Sequence, residues 1–253
     1  MISDPSGTVA PVQQPPIQPS FGEDRPAEGS LLGIIGPESM SDLKQMTLVT
    51  IDDIIRQMKA YHPSVDEALL RRADRFAAES HAGQVRLSGN PYTVHLRNVA
   101  LILTELEMDH ASVVAGLLHD ILEDTAVTEK QLEEQFGSEV LFLVQGVTKL
   151  GKIPLATREE NQMESLRRML VATAKDVRVL IIKLCDRLHN MRTLRFLPLE
   201  KQIAISKTTM DIFAPLAHRM GIGRLKWELE DLAFSYLDPE QYNYIKRRVA
   251  EKR

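Results

Sequence analysis

Apolar side chains recur every three to four positions from about Ser41 onward, the period of helices that bury one face. This pattern predicts helices at about 64–81, 92–108, 109–122, 128–137, 138–147, 159–174, 176–195, 199–213, 222–237 and 239–251. Several ends carry their own chemistry. Ser64 to Glu67 and Thr128 to Gln131 read as capping boxes, in which side chains satisfy the first free backbone N–H groups. Asp109 can cap the helix that follows it, and Gly137 can close the short one before it. No segment alternates convincingly with period two; Val177 to Leu184 comes nearest but runs on into a helical stretch. No repeat of 20–50 residues is visible. The expected fold is all-α, a compact bundle of about ten helices.

The first 40 residues differ. They hold seven of the 13 prolines and five of the 13 glycines and no helical stripe, so 1–45 reads as a disordered leader. They also hold the chain's whole net charge of −4, leaving the body neutral. A neutral body argues against a nucleic-acid coat or a membrane-surface protein, and no apolar run approaches the roughly 18 residues that span a bilayer. One cysteine among 253 residues excludes an internal disulfide or a cysteine-built zinc site. With no secretory signal evident, the expected setting is cytoplasmic.

Three segments carry chemistry. In Ala115 to Thr125 an apolar helix runs into His119, Asp120, Glu123 and Asp124. Helical spacing sets His119 near Glu123 and Asp120 near Asp124. Three close carboxylates repel unless a cation neutralises them, and imidazole with carboxylate suits a first-row divalent metal. The alternative, a helix end with solvated acids, is opposed by the dipole at a C-terminus. In Val179 to Met191 an apolar helix carries Asp186, with Asn190 and Thr193 on the same face. A charge there needs a metal or an ion pair, and Lys183 and Arg187 are the candidates for the latter. Finally, the loop Arg86 to Pro91 leads into a helix with His95 in its first turn, either a core histidine or a ligand.

His95, the His119-Asp120 pair and Asp186 resemble the H…HD…D arrangement of HD-domain metal phosphohydrolases. The flanking stretches resemble the hydrolase domain of the RelA/SpoT (Rel) family more specifically: Arg86 to His95, Gly116 to Thr125, Gly146 to Leu150, Lys183 to Leu194, Phe213 to Arg219 and Leu225 to Leu237. The resemblance covers about 48–253. It implies that His95, His119, Asp120 and Asp186 hold Mn2+ and that Glu123 and Asp124 position and activate water. It places Arg86 against a guanine ring and Ser88, Asn190 and Thr193 at base and ribose. The implied reaction removes the 3′-diphosphate of (p)ppGpp, the stringent-response alarmone, leaving GDP or GTP and pyrophosphate.

Leu87 departs from the pattern, standing where the family commonly has a basic residue; Asn90, Ser165 and His218 also differ. A related hydrolase acting on another nucleotide, such as a dNTP or NADPH, and a non-catalytic alarmone-binding module are the alternatives. The expected organisation is the leader, a hydrolase domain over 46–200, and helices over 201–253 that resemble the connector to a synthetase domain in a longer bifunctional enzyme. Cys185 and the Leu225, Trp227, Leu229, Leu232 group read as packing residues, and His62, His81 and His110 as surface or capping groups. His189 stays open between bystander and supporting residue, and Lys149 between a helix-end charge and a phosphate contact.

Overall fold

The computed structural model describes residues 49–151, Val171 and 175–252. The expected leader, the helix at 159–174, and Ser165 lie outside them. The described residues form α1 (Ile51–Tyr61), α2 (Glu67–Ser80), α3 (Tyr92–Glu105), α4 (His110–Leu118), α5 (Ile121–Asp124), α6 (Glu129–Gly151), α7 (Val177–Arg192), α8 (Leu199–Thr208), α9 (Ala214–Arg219), α10 (Gly223–Leu237) and α11 (Pro239–Ala250). Among the described residues the only extended pairing is one antiparallel bridge between Val85 and Pro91. The all-α expectation is borne out, and no described helix is long and apolar enough to cross a membrane.

Sequence chemistry explains most boundaries. Thr50 and Asp53 cap α1 reciprocally. The α2 cap is Asp66, which accepts from the Leu69 amide, one residue pair later than the box expected from Ser64. Asp109 accepts from the Ser112 amide and starts α4. Thr128 and Gln131 form the expected box, and Gly137, at φ 84°, breaks α6 where a helix end was expected. The stretch expected as one helix over 199–213 instead widens into a π turn at Thr209–Phe213. The Ala214 amide reaches back to the Thr209 carbonyl, just ahead of Pro215, which has no N–H to continue the ladder.

The core is built chiefly from α3, α4, α6 and α7, with α1 and α2 against α3 and α4. Val99, Leu103, Val114, Leu117, Val144, Leu180, Leu184 and Leu188 are buried at its centre. The later helices share that core: Leu216, Leu225 and Leu229 are buried with it, and α10 packs on α7. Trp227 does not follow the stripe it was grouped with; it is half exposed while Leu225, Leu229 and Leu232 are buried. Cys185 is fully buried, as expected of a packing residue.

Candidate metal and nucleotide site

Three helices bring the site together. The first turn of α3 carries Tyr92 and His95, the junction of α4 and α5 carries His119, Asp120, Glu123 and Asp124, and α7 carries Lys183, Asp186, His189 and Asn190. Helix α4 stops at Leu118, with His119 as its C-cap. The chain restarts at Ile121, whose burial pins the single turn of α5. Glu123 and Asp124 therefore lie in a separate four-residue turn, and not on the end of the apolar helix as the sequence suggested. Both remain exposed.

Four ligand atoms converge beneath them. His95 Nε2 is 3.6 Å from Asp120 Oδ2 and 3.3 Å from Asp186 Oδ1. His119 Nε2 is 3.1 Å from Asp120 Oδ2 and 3.7 Å from Asp186 Oδ1. With metal–ligand bonds of about 2.1 Å, neighbouring ligand atoms stand about 3.0 Å apart at right angles and about 3.4 Å apart at tetrahedral angles. The observed spacings, from 3.1 to 3.7 Å, begin close to the first value and bracket the second. His95, His119 and Asp120 alone place ligand atoms within 4.8 Å of one another, a set that could hold a metal ion.

The imidazoles are oriented for that role. His119 Nδ1 donates to the Gly116 carbonyl at 2.9 Å, which turns Nε2 toward the carboxylates. That Nε2 is buried and its contact with Asp120 lacks hydrogen-bond geometry. Burial alone would lower the His119 pKa, but Asp120 and Asp186 outweigh it and raise it to about 10. Burial likewise opposes ionisation of Asp120 and Asp186; the neighbouring cations, His119 for the first and Lys183 for the second, hold both well below the usual carboxylate range. The cluster thus favours positive charge at its centre, and the two carboxylates match a divalent ion in charge.

Each carboxylate has further partners. Asp186 Oδ1 accepts from Asn190 Nδ2 at 2.6 Å and Oδ2 from Lys183 Nζ at 2.8 Å, so the ion pair and the cluster coexist. The Tyr92 hydroxyl lies 2.7 Å from Asp120 Oδ2 and 2.9 Å from Asp124 Oδ2. Burial and the two acids raise the Tyr92 pKa, so the phenol keeps its proton. Its ring stacks on His81, centroids 4.7 Å apart; His81 is the C-cap of α2, the capping role of its expected reading, but is buried and not at the surface. Gln84 completes this support, contacting His81 Nδ1 and donating to the Asp124 carbonyl. Tyr92 was not singled out from the sequence, although it precedes His95 by three residues and so shares its helix face.

The Arg86 loop closes the other side. The Arg86 amide donates to the Asn90 carbonyl, and Gly89, at φ 82°, makes the turn. Arg86 Nη2 donates to Asn190 Oδ1 at 2.5 Å, and Nη1 lies 3.4 Å from His189 Nδ1. Ser88 Oγ accepts from the Asn90 amide at 3.4 Å, within the same loop, and Leu87 is 71% exposed. Thr193 caps α7, its hydroxyl donating to the carbonyls of His189 and Asn190. The Glu123 carboxylate faces Gly151 at the end of α6, where Lys183 Nζ also lies. Of the predicted residues, the buried His95, His119 and Asp186 and the partly buried Asp120 form one cluster. Arg86 and Asn190 join it by hydrogen bonds, Asp124 through Tyr92, while Ser88 and Thr193 bond only within their own segments.

Comparison with known proteins bears out the family resemblance. The chain is 53% identical over 185 residues to a probable guanosine-3′,5′-bis(diphosphate) 3′-pyrophosphohydrolase of Synechocystis, covering 73% of this chain and 24% of that protein. It is 48% identical over 196 residues to a GTP pyrophosphokinase of Myxococcus xanthus, covering 76% and 26%. A solved structure described as a metazoan ortholog of SpoT that hydrolyses ppGpp aligns with 65% of this chain and 93% of its own, at TM-score 0.49 and 27% identity. The chain thus spans about a quarter of the length of the curated relatives it matches. Residues 73–223, which include every residue of the cluster, match the model of the HD domain, and this chain belongs to that family.

Proposed function

We propose that this chain hydrolyses the 3′-diphosphate of (p)ppGpp in a reaction that depends on Mn2+, releasing pyrophosphate and leaving GDP or GTP. The observation that carries the proposal is the convergence of His95, His119, Asp120 and Asp186 from three helices, with Arg86 joined to the same network. The mixed imidazole and carboxylate set suits a first-row divalent ion. When bound, the ion polarises a phosphoryl oxygen and acidifies water. The chain's own residues do the rest. Glu123 and Asp124 hold a water and take its proton, work typically worth about 10²–10⁴-fold. The water oxygen joins phosphorus, the bond to the ribose 3′ oxygen breaks, and that oxygen takes up a proton. Arg86 offers its planar guanidinium to a guanine face, and Ser88, Asn190 and Thr193 supply polar contacts to base and ribose. The relatives' names support this choice of substrate.

The test is pyrophosphate release from ppGpp by metal-stripped protein, with and without Mn2+, beside Asp186→Ala. Release should require Mn2+ and fall at least about 100-fold in the variant, with circular dichroism showing that it remains folded. Absence of release by the Mn2+-loaded wild type, or equal release by the variant, would overturn the proposal.

A further inference from the structure

We infer that His189 is a positioning residue that couples nucleotide binding to metal binding, through contacts to Arg86 on one side and His95 on the other. The inference rests on the reading above. His189 Nδ1 lies 2.7 Å from His95 Nδ1 and 3.4 Å from Arg86 Nη1. An arginine can only donate, so the nearby guanidinium favours the His189 tautomer whose Nδ1 accepts. In that tautomer the proton between the two imidazoles sits on His95 Nδ1. That fixes the His95 tautomer with its Nε2 lone pair aimed at Asp120 and Asp186, the orientation a metal ligand needs. Were Arg86 withdrawn, His189 Nδ1 could donate instead, and His95 Nε2 would then hold the proton and be lost as a ligand.

The same guanidinium reaches a second member of the cluster. Arg86 Nη2 donates to Asn190 Oδ1, and Asn190 Nδ2 donates to Asp186 Oδ1. One side chain is thus a single residue removed from two of the four candidate ligands, on two different helices. His189 is buried, with 2% exposure. A guanine nucleotide that settles on Arg86 holds the donor pattern behind His95 and Asp186 in place. A metal ion on His95 and Asp186 holds Arg86 in place in return. Ordering paid for by one ligand is not charged again to the other, which makes the coupling positive and reciprocal.

The test uses the full chain, Mn2+ and GDP, a nucleotide that lacks the scissile group. The Mn2+ dissociation constant is measured by electron paramagnetic resonance with and without saturating GDP, and the GDP constant by calorimetry with and without Mn2+. Wild type should show each ligand tightening the other by the same factor, on the order of 10-fold. His189→Leu should weaken Mn2+ alone about 10-fold and bring the coupling factor to within 2-fold of unity. His189→Asn, whose Oδ1 stands near the imidazole Nδ1 position and can only accept there, should restore the coupling. A wild-type factor near one, or a His189→Leu factor equal to wild type, overturns the inference while Mn2+-dependent pyrophosphate release leaves the hydrolase reading standing. Absence of that release overturns the hydrolase reading, and this inference with it.

Discussion

Replacing Tyr92 with phenylalanine removes one oxygen and one proton from the centre of the site and little else. The ring would keep its stack on His81, at 4.7 Å and 7° between planes, and its edge contact with His95 at 5.8 Å. What goes is the hydroxyl held 2.7 Å from Asp120 Oδ2 and 2.9 Å from Asp124 Oδ2. A hydrogen bond to an ionised acceptor contributes about 1.5–3 kcal/mol. If that bond keeps Asp124 aligned with the Asp120 side of the cluster in the transition state, its loss lowers kcat by about 10- to 150-fold at 1.36 kcal/mol per decade. Ground-state stability should fall by about 1–2 kcal/mol, because Asp120, unlike the exposed Asp124, is largely buried and water does not fully replace its lost partner. The assay is initial-rate pyrophosphate release at saturating Mn2+, with KM for ppGpp measured alongside. The expected result is a drop in kcat with KM within about 3-fold of wild type. A kcat within 2-fold of wild type would refute the argument that the bridging phenol orients the acid.

Three further outcomes follow from the packing and the pKa shifts. A methyl group added at Gly146 would lie 2.6 and 2.9 Å from the two γ carbons of Val179 and 3.3 Å from its Cβ, so no rotamer of this β-branched side chain avoids it. Gly146→Ala should therefore lose about 1–3 kcal/mol to overpacking and regain up to about 1 from helix propensity, a net fall of about 2–4 °C in Tm by differential scanning calorimetry; a raised Tm would contradict this. Arg97 binds Asp74 with two donors, at 2.6 and 2.9 Å, across α2 and α3. Asp74→Ala should lower unfolding stability by about 2 kcal/mol in urea titration, and a change below about 0.5 would refute the assignment. Burial, with Glu107 and Asp109 nearby, pushes the Tyr61 phenol from 10.0 up to about 12. Because the folded state holds this proton more tightly, its contribution is complete below pH 10 and declines as pH rises toward 12; Tyr61→Phe should flatten that part of the stability curve relative to wild type.

The site was legible where short spacing and residue type decide the matter. His119 with Asp120, and Asp186 with Asn190, declare themselves through helical spacing and through the cost of charge in an apolar segment. The turn at Ile121 was not legible, because a continuous apolar run does not show where a helix stops and restarts. That one break moved Glu123 and Asp124 off the end of α4 and into a turn of their own. Tyr92 escaped notice, and His81 was read only as a surface or capping group, because an aromatic and a histidine become a stacked support only once α3 folds over the end of α2. The π turn likewise depends on how Pro215 is accommodated in packed surroundings, a tertiary matter. His189 needed the structure to be settled: its role follows from which donors face it, and they come from 103 and 94 residues away in sequence.

Helix α7 has two owners. One face carries Asp186, His189 and Asn190, and the other is gripped by α10, through core contacts and through Arg192 Nε, which donates to Glu228 Oε1 at 2.6 Å. Arg192 is two residues from Asn190, so a pull on α10 is delivered within one helical turn of the Asp186 support. The active face and the late helices are therefore arranged in mechanical series, like a lever and its fulcrum. Whatever loads α10 from outside, be it another stretch of protein or a bound partner, acts on the helix that carries Asp186 without passing through the Arg86 loop.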